Sequence, residues 1–201
     1  MAIFIVRHGE TEGNASRMIQ GPETPLNARG MAQAAAVAER LAREGVERIL
    51  VSDYARARMT ADAVQRATGA PLEVDLRLRE RDFGDWRGVS HDEIPWFMDD
   101  DVVPPNGESW EAFHARAVGA WECVARNAGE ADGNVVAVTH GLVCYSFALH
   151  HLAVPAGIEV DRGFHNTSVT VADSRAPWAV TTLNCTAHLD RAIEARIAQA
   201  S

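Results

Sequence analysis

Two histidines at equivalent places in the sequence are the first candidates for chemistry. His8 and His140 each follow a short apolar stretch and precede a glycine, and Arg7 stands directly before His8. The stretches 2–6 and 134–139 have the length and β-branched content of buried strands. Because parallel α/β sheets bind ligands at the carboxyl ends of their strands, this pattern predicts both imidazoles at a ligand-binding edge. A lone histidine at a strand end is more often structural, so the surrounding residues must decide.

The elements that position these histidines follow from periodicity, caps and glycines. Strands are predicted at 2–6, 48–51, 134–139, 168–172 and 179–183. Helices are predicted over 27–45, 52–69, 109–129 and 142–152, with N-caps at Asn27, at Ser52 or Asp53 and at Ser109, and terminal glycines at Gly45, Gly69 and Gly129. The alternation of strands and helices predicts an α/β protein with a largely parallel sheet.

The length of 201 residues predicts one domain, residues 1–201, because single cores commonly grow to roughly 150 to 250 residues. The stretch near 89–107 contains Pro95, Pro104 and Pro105 together with three consecutive Asp residues. Such an interruption predicts an irregular lid or substrate loop.

Composition excludes several classes of function. All nineteen basic residues are Arg, which rules out a Walker A lysine, a pyridoxal Schiff base and a lysine nucleophile. The formal charge of -9 argues against nucleic acid and anionic membranes as partners. Three well-separated cysteines are a poor disulfide framework, and the apolar start is too short for a signal peptide. We therefore expect a cytoplasmic protein with reduced thiols.

A longer set of motifs resembles the histidine phosphatase superfamily, whose members have a phosphoglycerate mutase-like fold. The matches occur in family order across about residues 3 to 173. They are R-H-G-E-T at 7–11 followed by Asn14, Q-G at 20–21, P-L-N-A-R-G-M-A-Q-A at 25–34, S-D-Y-A-R-A-R-M-T-A at 52–61, E-R-D-F-G-D-W-R-G at 80–88, G-E-S at 107–109 and V-T-H-G at 138–141. The resemblance implies a three-layer sandwich, with helices on both faces of a mostly parallel central sheet.

The resemblance also implies roles for individual residues. His8 would be a nucleophile that accepts a phosphoryl group, which requires an unprotonated nitrogen. Arg7 and Arg56 would lower the pKa of His8 and neutralise phosphoryl oxygens. His140 would donate to the same group, and Glu80 would be the general acid that protonates the leaving alcohol. The residues implied to bind substrate are Arg7, Asn14, Gln20, Gly21, Arg56, Glu80, His140 and Gly141.

One motif departs from the family pattern. The common G-x-x-D-x-P-L is represented by Gly21 to Leu26, one residue shorter and without the Asp. The sequence therefore leaves the conformation of this loop near the substrate undetermined. The arginine-rich stretch 77–87 could bind a second anionic group of a substrate, although a solvated charged loop is the favoured interpretation.

The preferred function is metal-independent hydrolysis of a small phosphorylated metabolite without a cofactor. The alternatives are a cofactor-dependent phosphoglycerate mutase and a non-catalytic module that binds a phosphorylated ligand. The compact loop after Glu80 and the F-G-x-W pattern starting at Phe83 favour the phosphatase branch. The histidines have no H-E-x-x-H-like spacing, which argues against a metal site. Substrate identity stays open, and a homodimer is one option for the oligomeric state.

Overall fold

The computed structural model describes residues 1–189. Its strands are β1 (Ala2–Arg7), β2 (Val46–Val51), β3 (Leu72–Val74), β4 (Asn134–Thr139), β5 (Val169–Asp173) and β6 (Val180–Cys185). Its α-helices are α1 (Glu12–Ala15), α2 (Ala28–Leu41), α3 (Ala55–Thr68), α4 (Trp110–Glu130) and α5 (Gly141–His150). Short 3-10 turns occupy Leu76–Leu78 and Gly84–Trp86.

The six strands form one sheet in the order β3-β2-β4-β1-β5-β6. The pairs β3-β2, β2-β4 and β4-β1 are parallel, whereas β5 pairs antiparallel with both β1 and β6. The predicted α/β fold with a mostly parallel central sheet is therefore confirmed. The two late strands, β5 and β6, form the antiparallel part at one edge of the sheet.

Alternate side chains of the central strands serve two separate cores, because successive residues of a strand point to opposite faces. On one face, Ile3 and Ile5 belong to a buried cluster with residues of α4 and α5. On the other face, Phe4 and Val6 belong to a cluster with residues of α2 and α3. The continuous apolar sequence of β1 thus reflects helices on both faces, as the predicted three-layer sandwich requires. No helix among residues 1–189 is long and apolar enough to cross a membrane.

Most predicted helix boundaries agree with the structure, and two are wrong. Asn27 and Ser109 cap α2 and α4 through their side chains, and Gly69 ends α3 with a positive φ of 73°. The N-cap of α3 is Tyr54, without a side-chain bond, rather than Ser52 or Asp53. Helix α2 ends at Leu41, four residues before the predicted glycine. Strand β3 and the short helix α1 were not predicted.

Gly30 of the A-R-G motif packs against the backbone of the first histidine motif. A Cβ atom on Gly30 would lie 1.9 Å from the carbonyl oxygen of Glu10, and one on Gly9 would lie 2.5 Å from the carbonyl oxygen of Gly30. The start of α2 therefore packs directly against the backbone that follows His8. Only residues without a side chain permit this approach.

Gly30→Ala is expected to destabilise the protein by about 2 kcal/mol or more, since the clash involves backbone that cannot rotate away. Helix propensity alone predicts the opposite sign, a gain of about 0.5–1 kcal/mol for Ala over Gly. Urea denaturation measures the difference. Gly129→Ala in α4 is the matched control, because its Cβ would meet nothing within 4 Å. A Gly30→Ala variant as stable as the control would contradict the packing argument.

Candidate active site

The two histidines come together because β1 and β4 are adjacent parallel strands. Arg7 pairs in register with Thr139, and the amide of His8 donates to the carbonyl of Thr139 at 2.9 Å. The next residues of both strands, His8 and His140, then face the same edge of the sheet. Their ring centroids are 5.1 Å apart, and both side chains are buried. The structure thus places the two His-Gly pairs together at one edge of the sheet.

Hydrogen bonds fix the orientation of the His8 ring. Nδ1 lies 2.7 Å from the carbonyl oxygen of Gly9, which can only accept, so the proton resides on Nδ1. Nε2 therefore carries a lone pair. The Nε of Arg56 donates to this atom at 3.2 Å. His8 is held as a neutral imidazole whose free electron pair faces a guanidinium.

Electrostatics favour the same neutral state. Burial lowers the pKa of His8 well below its usual value, and the charges of Arg56 and Arg7 lower it further. The family resemblance implied the two guanidinium groups as the cause of this shift, whereas burial contributes more. Arg56 is itself buried, which lowers its pKa to about 10 and leaves it charged at neutral pH.

The two arginines are anchored by backbone carbonyls. Nη1 of Arg56 donates to the carbonyl of Gly21 at 2.9 Å, and Nη1 of Arg7 donates to the carbonyl of Phe164. The Nε of Arg7 is buried and has no hydrogen-bond partner among the described residues. This donor suits an anionic ligand, because a buried donor without an acceptor costs about 1–3 kcal/mol.

His140 is oriented by a residue that the sequence analysis did not identify as part of the site. Its Nε2 lies 2.9 Å from the hydroxyl oxygen of Ser52, at the carboxyl end of the neighbouring strand β2. Its Nδ1 is buried and has no partner in the described part of the chain. Burial and the charge of Arg56 lower the pKa of His140 well below its usual value.

Glu80 lines the same cavity as Arg7 and Arg56 and interacts electrostatically with both. Its two carboxylate oxygens accept from the backbone amides of Arg81, at 3.1 Å, and Leu142, at 3.3 Å. Burial raises the pKa of Glu80, although these bonds and the charges of Arg56 and Arg7 act against the shift. A raised pKa favours the protonated form of a carboxyl group, which is the form that a general acid requires.

The backbone around Glu80 is clamped by a residue of α4. Arg116 donates to the carbonyls of Arg77, Arg79 and Glu80 at 2.7, 2.8 and 3.3 Å. Its guanidinium also pairs with Glu108, at 2.7 Å, within the G-E-S motif. The G-E-S motif therefore acts on Glu80 through Arg116, a link that the sequence did not reveal.

The arginines of the stretch 77–87 bond to other residues of the protein and do not form an open anion site. Arg77, Arg79 and Arg87 pair with Asp75, Asp53 and Asp82 at 2.8, 2.5 and 2.5 Å. Arg81 is buried and donates to the carbonyls of Val102 and Glu108 at 2.7 and 3.0 Å. The guanidinium groups of Arg79 and Arg81 thus bond to partners other than the Glu80 carboxylate.

Of the remaining predicted binding residues, three line the cavity and Gly21 does not. Asn14, Gln20 and Gly141 line the same cavity as His8. The side-chain oxygen of Asn14 accepts from the amide of Thr11 at 3.2 Å, which leaves its NH₂ group as a donor. Gly21 does not line the cavity, and it acts through its carbonyl bond to Arg56. This bond exists although the loop is shorter than in the family pattern.

The cavity has a volume of about 200 Å³, and its lining divides into a charged floor and an apolar wall. The floor contains Arg7, His8, Arg56 and Glu80. The apolar wall consists of Met18, Ile19, Phe83, Phe97, Met98 and Leu142, two of which belong to the 89–107 segment. This size fits a small metabolite with an anionic group at the floor.

Asn166 also supports the site, and the sequence did not reveal it because it lies outside the recognised motifs. The Nδ2 of Asn166 donates to the carbonyl of His8 at 3.1 Å and to the side-chain oxygen of Asn14 at 3.2 Å. Asn166 therefore holds both predicted site residues from the loop before β5.

Within residues 1–189, no group of three or more His, Cys, Asp or Glu side chains is placed to hold a metal ion.

Comparison with known proteins identifies the class. The model of the histidine phosphatase superfamily (branch 1) matches residues 3–186, and this chain belongs to that superfamily. A curated relative from Klebsiella pneumoniae, named "Probable phosphoglycerate mutase GpmB", is 33% identical over 208 residues, which cover 94% of this chain and 95% of the relative.

Two solved structures extend the comparison. YhfR of Bacillus stearothermophilus superimposes with a TM-score of 0.81 at 27% identity, covering 94% of this chain and 99% of that one. A mycobacterial glucosyl-3-phosphoglycerate phosphatase in complex with VO3 superimposes with a TM-score of 0.71 at 32% identity, covering 86% and 90%. The fold is thus shared along nearly the whole chain with both named proteins.

Proposed function

We propose that this protein hydrolyses small phosphate monoesters through a covalent phosphohistidine on His8, without a metal ion or cofactor. The observation that carries the proposal is the neutral, buried His8 ring, whose Nε2 lone pair faces the guanidinium of Arg56 at 3.2 Å. A carboxyl group with a raised pKa stands across the same cavity. The site thereby combines a nucleophile, cationic donors and a general acid.

In the first step, Nε2 of His8 forms a bond to phosphorus while the ester P–O bond breaks. Arg56 transfers its Nε bond from Nε2 to a phosphoryl oxygen, and Arg7 supplies its unpartnered Nε. Glu80 gives its proton to the departing alkoxide. Splitting one displacement into two lowers the barrier of each, provided that nucleophile and leaving oxygen are roughly in line.

His140 and Asn14 complete the phosphoryl pocket in this proposal. In this proposal the Ser52 hydroxyl donates to Nε2 of His140, 2.9 Å away, so that the His140 proton is on Nδ1 and Nδ1 serves as the donor. The NH₂ group of Asn14 is a further donor at the cavity wall. Removal of one preorganised donor of this kind typically costs about 10²- to 10³-fold in rate.

In the second step, the Glu80 carboxylate removes a proton from water as the water oxygen attacks phosphorus. The P–N bond breaks, its electron pair returns to Nε2, and inorganic phosphate leaves. The same carboxyl group thus alternates between acid and base. Nδ1 keeps its proton and its hydrogen bond to the Gly9 carbonyl throughout, so the ring is ready for another cycle.

A phosphoglycerate mutase is the second candidate, because the Klebsiella relative has that name. Both activities would use the same phosphohistidine and differ in the acceptor of the phosphoryl group. The similarity to a solved phosphatase favours water as the acceptor.

Purified protein is expected to release inorganic phosphate from small monoesters at a rate that EDTA does not change. The reason is that cationic side chains occupy the places where a metal would otherwise neutralise phosphoryl charge. A panel of esters assayed for phosphate release, with and without EDTA, measures this.

The same panel should include 3-phosphoglycerate with bisphosphoglycerate to test the mutase. Isomerisation without comparable release of phosphate would reject hydrolysis in favour of the mutase. Loss of activity in EDTA, restored by a divalent cation, would reject the metal-independent mechanism.

A further inference from the structure

One arginine that lines the cavity has no place in the proposed chemistry. Arg162 lies in the loop before β5, and its side chain is 33% exposed. The carbonyl of Phe164, two residues later, accepts from Arg7 on the cavity floor. Two residues of chain span at most about 7 Å, so the backbone of Arg162 is close to the phosphoryl site. Its guanidinium is therefore within reach of the alcohol portion of a bound ester.

The guanidinium of Arg162 is held in a defined position. It lies 4.7 Å from the ring centroid of Trp110 and 5.5 Å from that of Tyr145. Its Nη1 donates to the carbonyl of Met98 at 2.6 Å. Ring contacts and a carbonyl bond orient a cation without neutralising it, so a positive charge is presented beside the apolar wall.

The carboxylate that pairs with Arg162 is poorly placed to neutralise it. Asp100 accepts from Nη2 at 2.7 Å, but its side chain is 85% exposed on the 89–107 segment. An exposed ion pair of this kind is screened by water and contributes little to stability. A ligand anion held in the cavity, where water is scarcer, can therefore replace Asp100 on the guanidinium.

We propose that Arg162 selects phosphate monoesters whose alcohol portion carries a second anionic group, a carboxylate or another phosphate. The phosphoryl group to be transferred would lie on Arg7 and Arg56, and the second anion on Arg162. This inference rests on the proposed hydrolase function and names its substrate class. It also assigns the second-anion role to Arg162 rather than to the stretch 77–87, whose guanidinium groups have other partners.

Three matched esters test the proposal: propyl phosphate, 3-(phosphonooxy)propanoate and propane-1,3-diyl bisphosphate. Wild type should prefer the two with a second anion. Arg162→Gln should lower kcat/KM for these by about 10- to 100-fold, the usual effect of one charge-assisted hydrogen bond, and for propyl phosphate much less. Comparison of the two anionic esters shows whether carboxylate or phosphate is preferred.

Further variants separate recognition from structure. Arg162→Lys should restore part of the preference, and Asp100→Asn should increase kcat/KM for the anionic esters by removing the competing carboxylate. Arg175→Gln is the control for net charge, because Arg175 lies in the β5-β6 turn near the amino end of β1, away from the cavity. Its selectivity should equal that of wild type.

The outcomes distinguish the two proposals. An equal fall for all three esters in Arg162→Gln, or no fall for any, would overturn the role of Arg162 while leaving the hydrolase intact. If wild type hydrolyses none of the esters, or if hydrolysis persists in His8→Ala, the hydrolase proposal itself is wrong.

Discussion

Replacement of His8 by Ala is expected to lower kcat/KM for every phosphate ester by about 10⁴-fold or more, because no other group can take over the covalent step. The remaining arginines can still bind and polarise a phosphoryl group. Substrate binding should therefore survive better than turnover. Steady-state kinetics of the variant, with an inhibition constant for inorganic phosphate, separate the two effects.

The covalent adduct itself provides a second, independent measurement. Rapid quenching of wild type during turnover of a ³²P-labelled ester should trap an acid-labile, base-stable phosphoryl group on His8. His8→Asn, which retains more side-chain volume than Ala, checks that loss of activity does not come from loss of the fold. His150→Ala at the exposed end of α5 is the control histidine, and its rate should match wild type. Absence of an adduct in wild type would exclude the nucleophile.

The sequence could predict the site residues that follow the ends of strands, for a geometric reason. The apolar stretches before His8 and His140 are buried on both faces, so their length and composition are constrained by two cores. Adjacent parallel strands then bring their following residues to one edge. Placement of Arg56 and Glu80 could not be derived in this way and depended on the family resemblance.

Helix caps were predictable where the side-chain oxygen of the capping residue bonds to the helix start. Asn27 and Ser109 accept in this way from amides in the first turns of α2 and α4, and the NH₂ group of Asn27 bonds in addition to Glu10 and Glu12. Ser52 and Asp53 have the same residue types but serve elsewhere, since Ser52 contacts His140 and Asp53 pairs with Arg79. Local sequence carries no information about such distant partners, and the prediction failed for that reason.

Contacts between loops that are distant in sequence were missed altogether. Asn166 is 158 residues from His8, and Arg116 is 36 residues from Glu80, yet each holds the backbone of its partner. Nothing in residue type or spacing marks these side chains as part of a site. Such positioning contacts depend on the sheet order, which sequence periodicity leaves undetermined.

Glu80→Gln is expected to affect the two chemical steps differently according to the leaving group. For alkyl phosphates the first step needs a proton from Glu80, and loss of a general acid typically costs about 10²- to 10⁴-fold. For p-nitrophenyl phosphate the first step needs little assistance, because nitrophenolate leaves without protonation. The second step still lacks its base. A burst of nitrophenolate approaching one per enzyme, with accumulated phosphohistidine, should therefore appear in stopped-flow and quench experiments.

The pH dependence of kcat/KM gives the sign of both pKa shifts. His8 must be neutral, and its pKa is lowered, so the acidic limb should lie well below the usual pKa of about 6.5. Glu80 must be protonated in the first step, and its pKa is raised, so activity on alkyl phosphates should fall as pH rises through that raised value.

The ionisation of the substrate affects wild type and Glu80→Gln equally, so comparison of the two profiles isolates the enzyme group. The alkaline limb should disappear in the variant, because Gln does not titrate, while the acidic limb of His8 remains. An alkaline limb that persists unchanged in Glu80→Gln, or an equal loss of rate for alkyl and nitrophenyl esters, would assign the acid to another group.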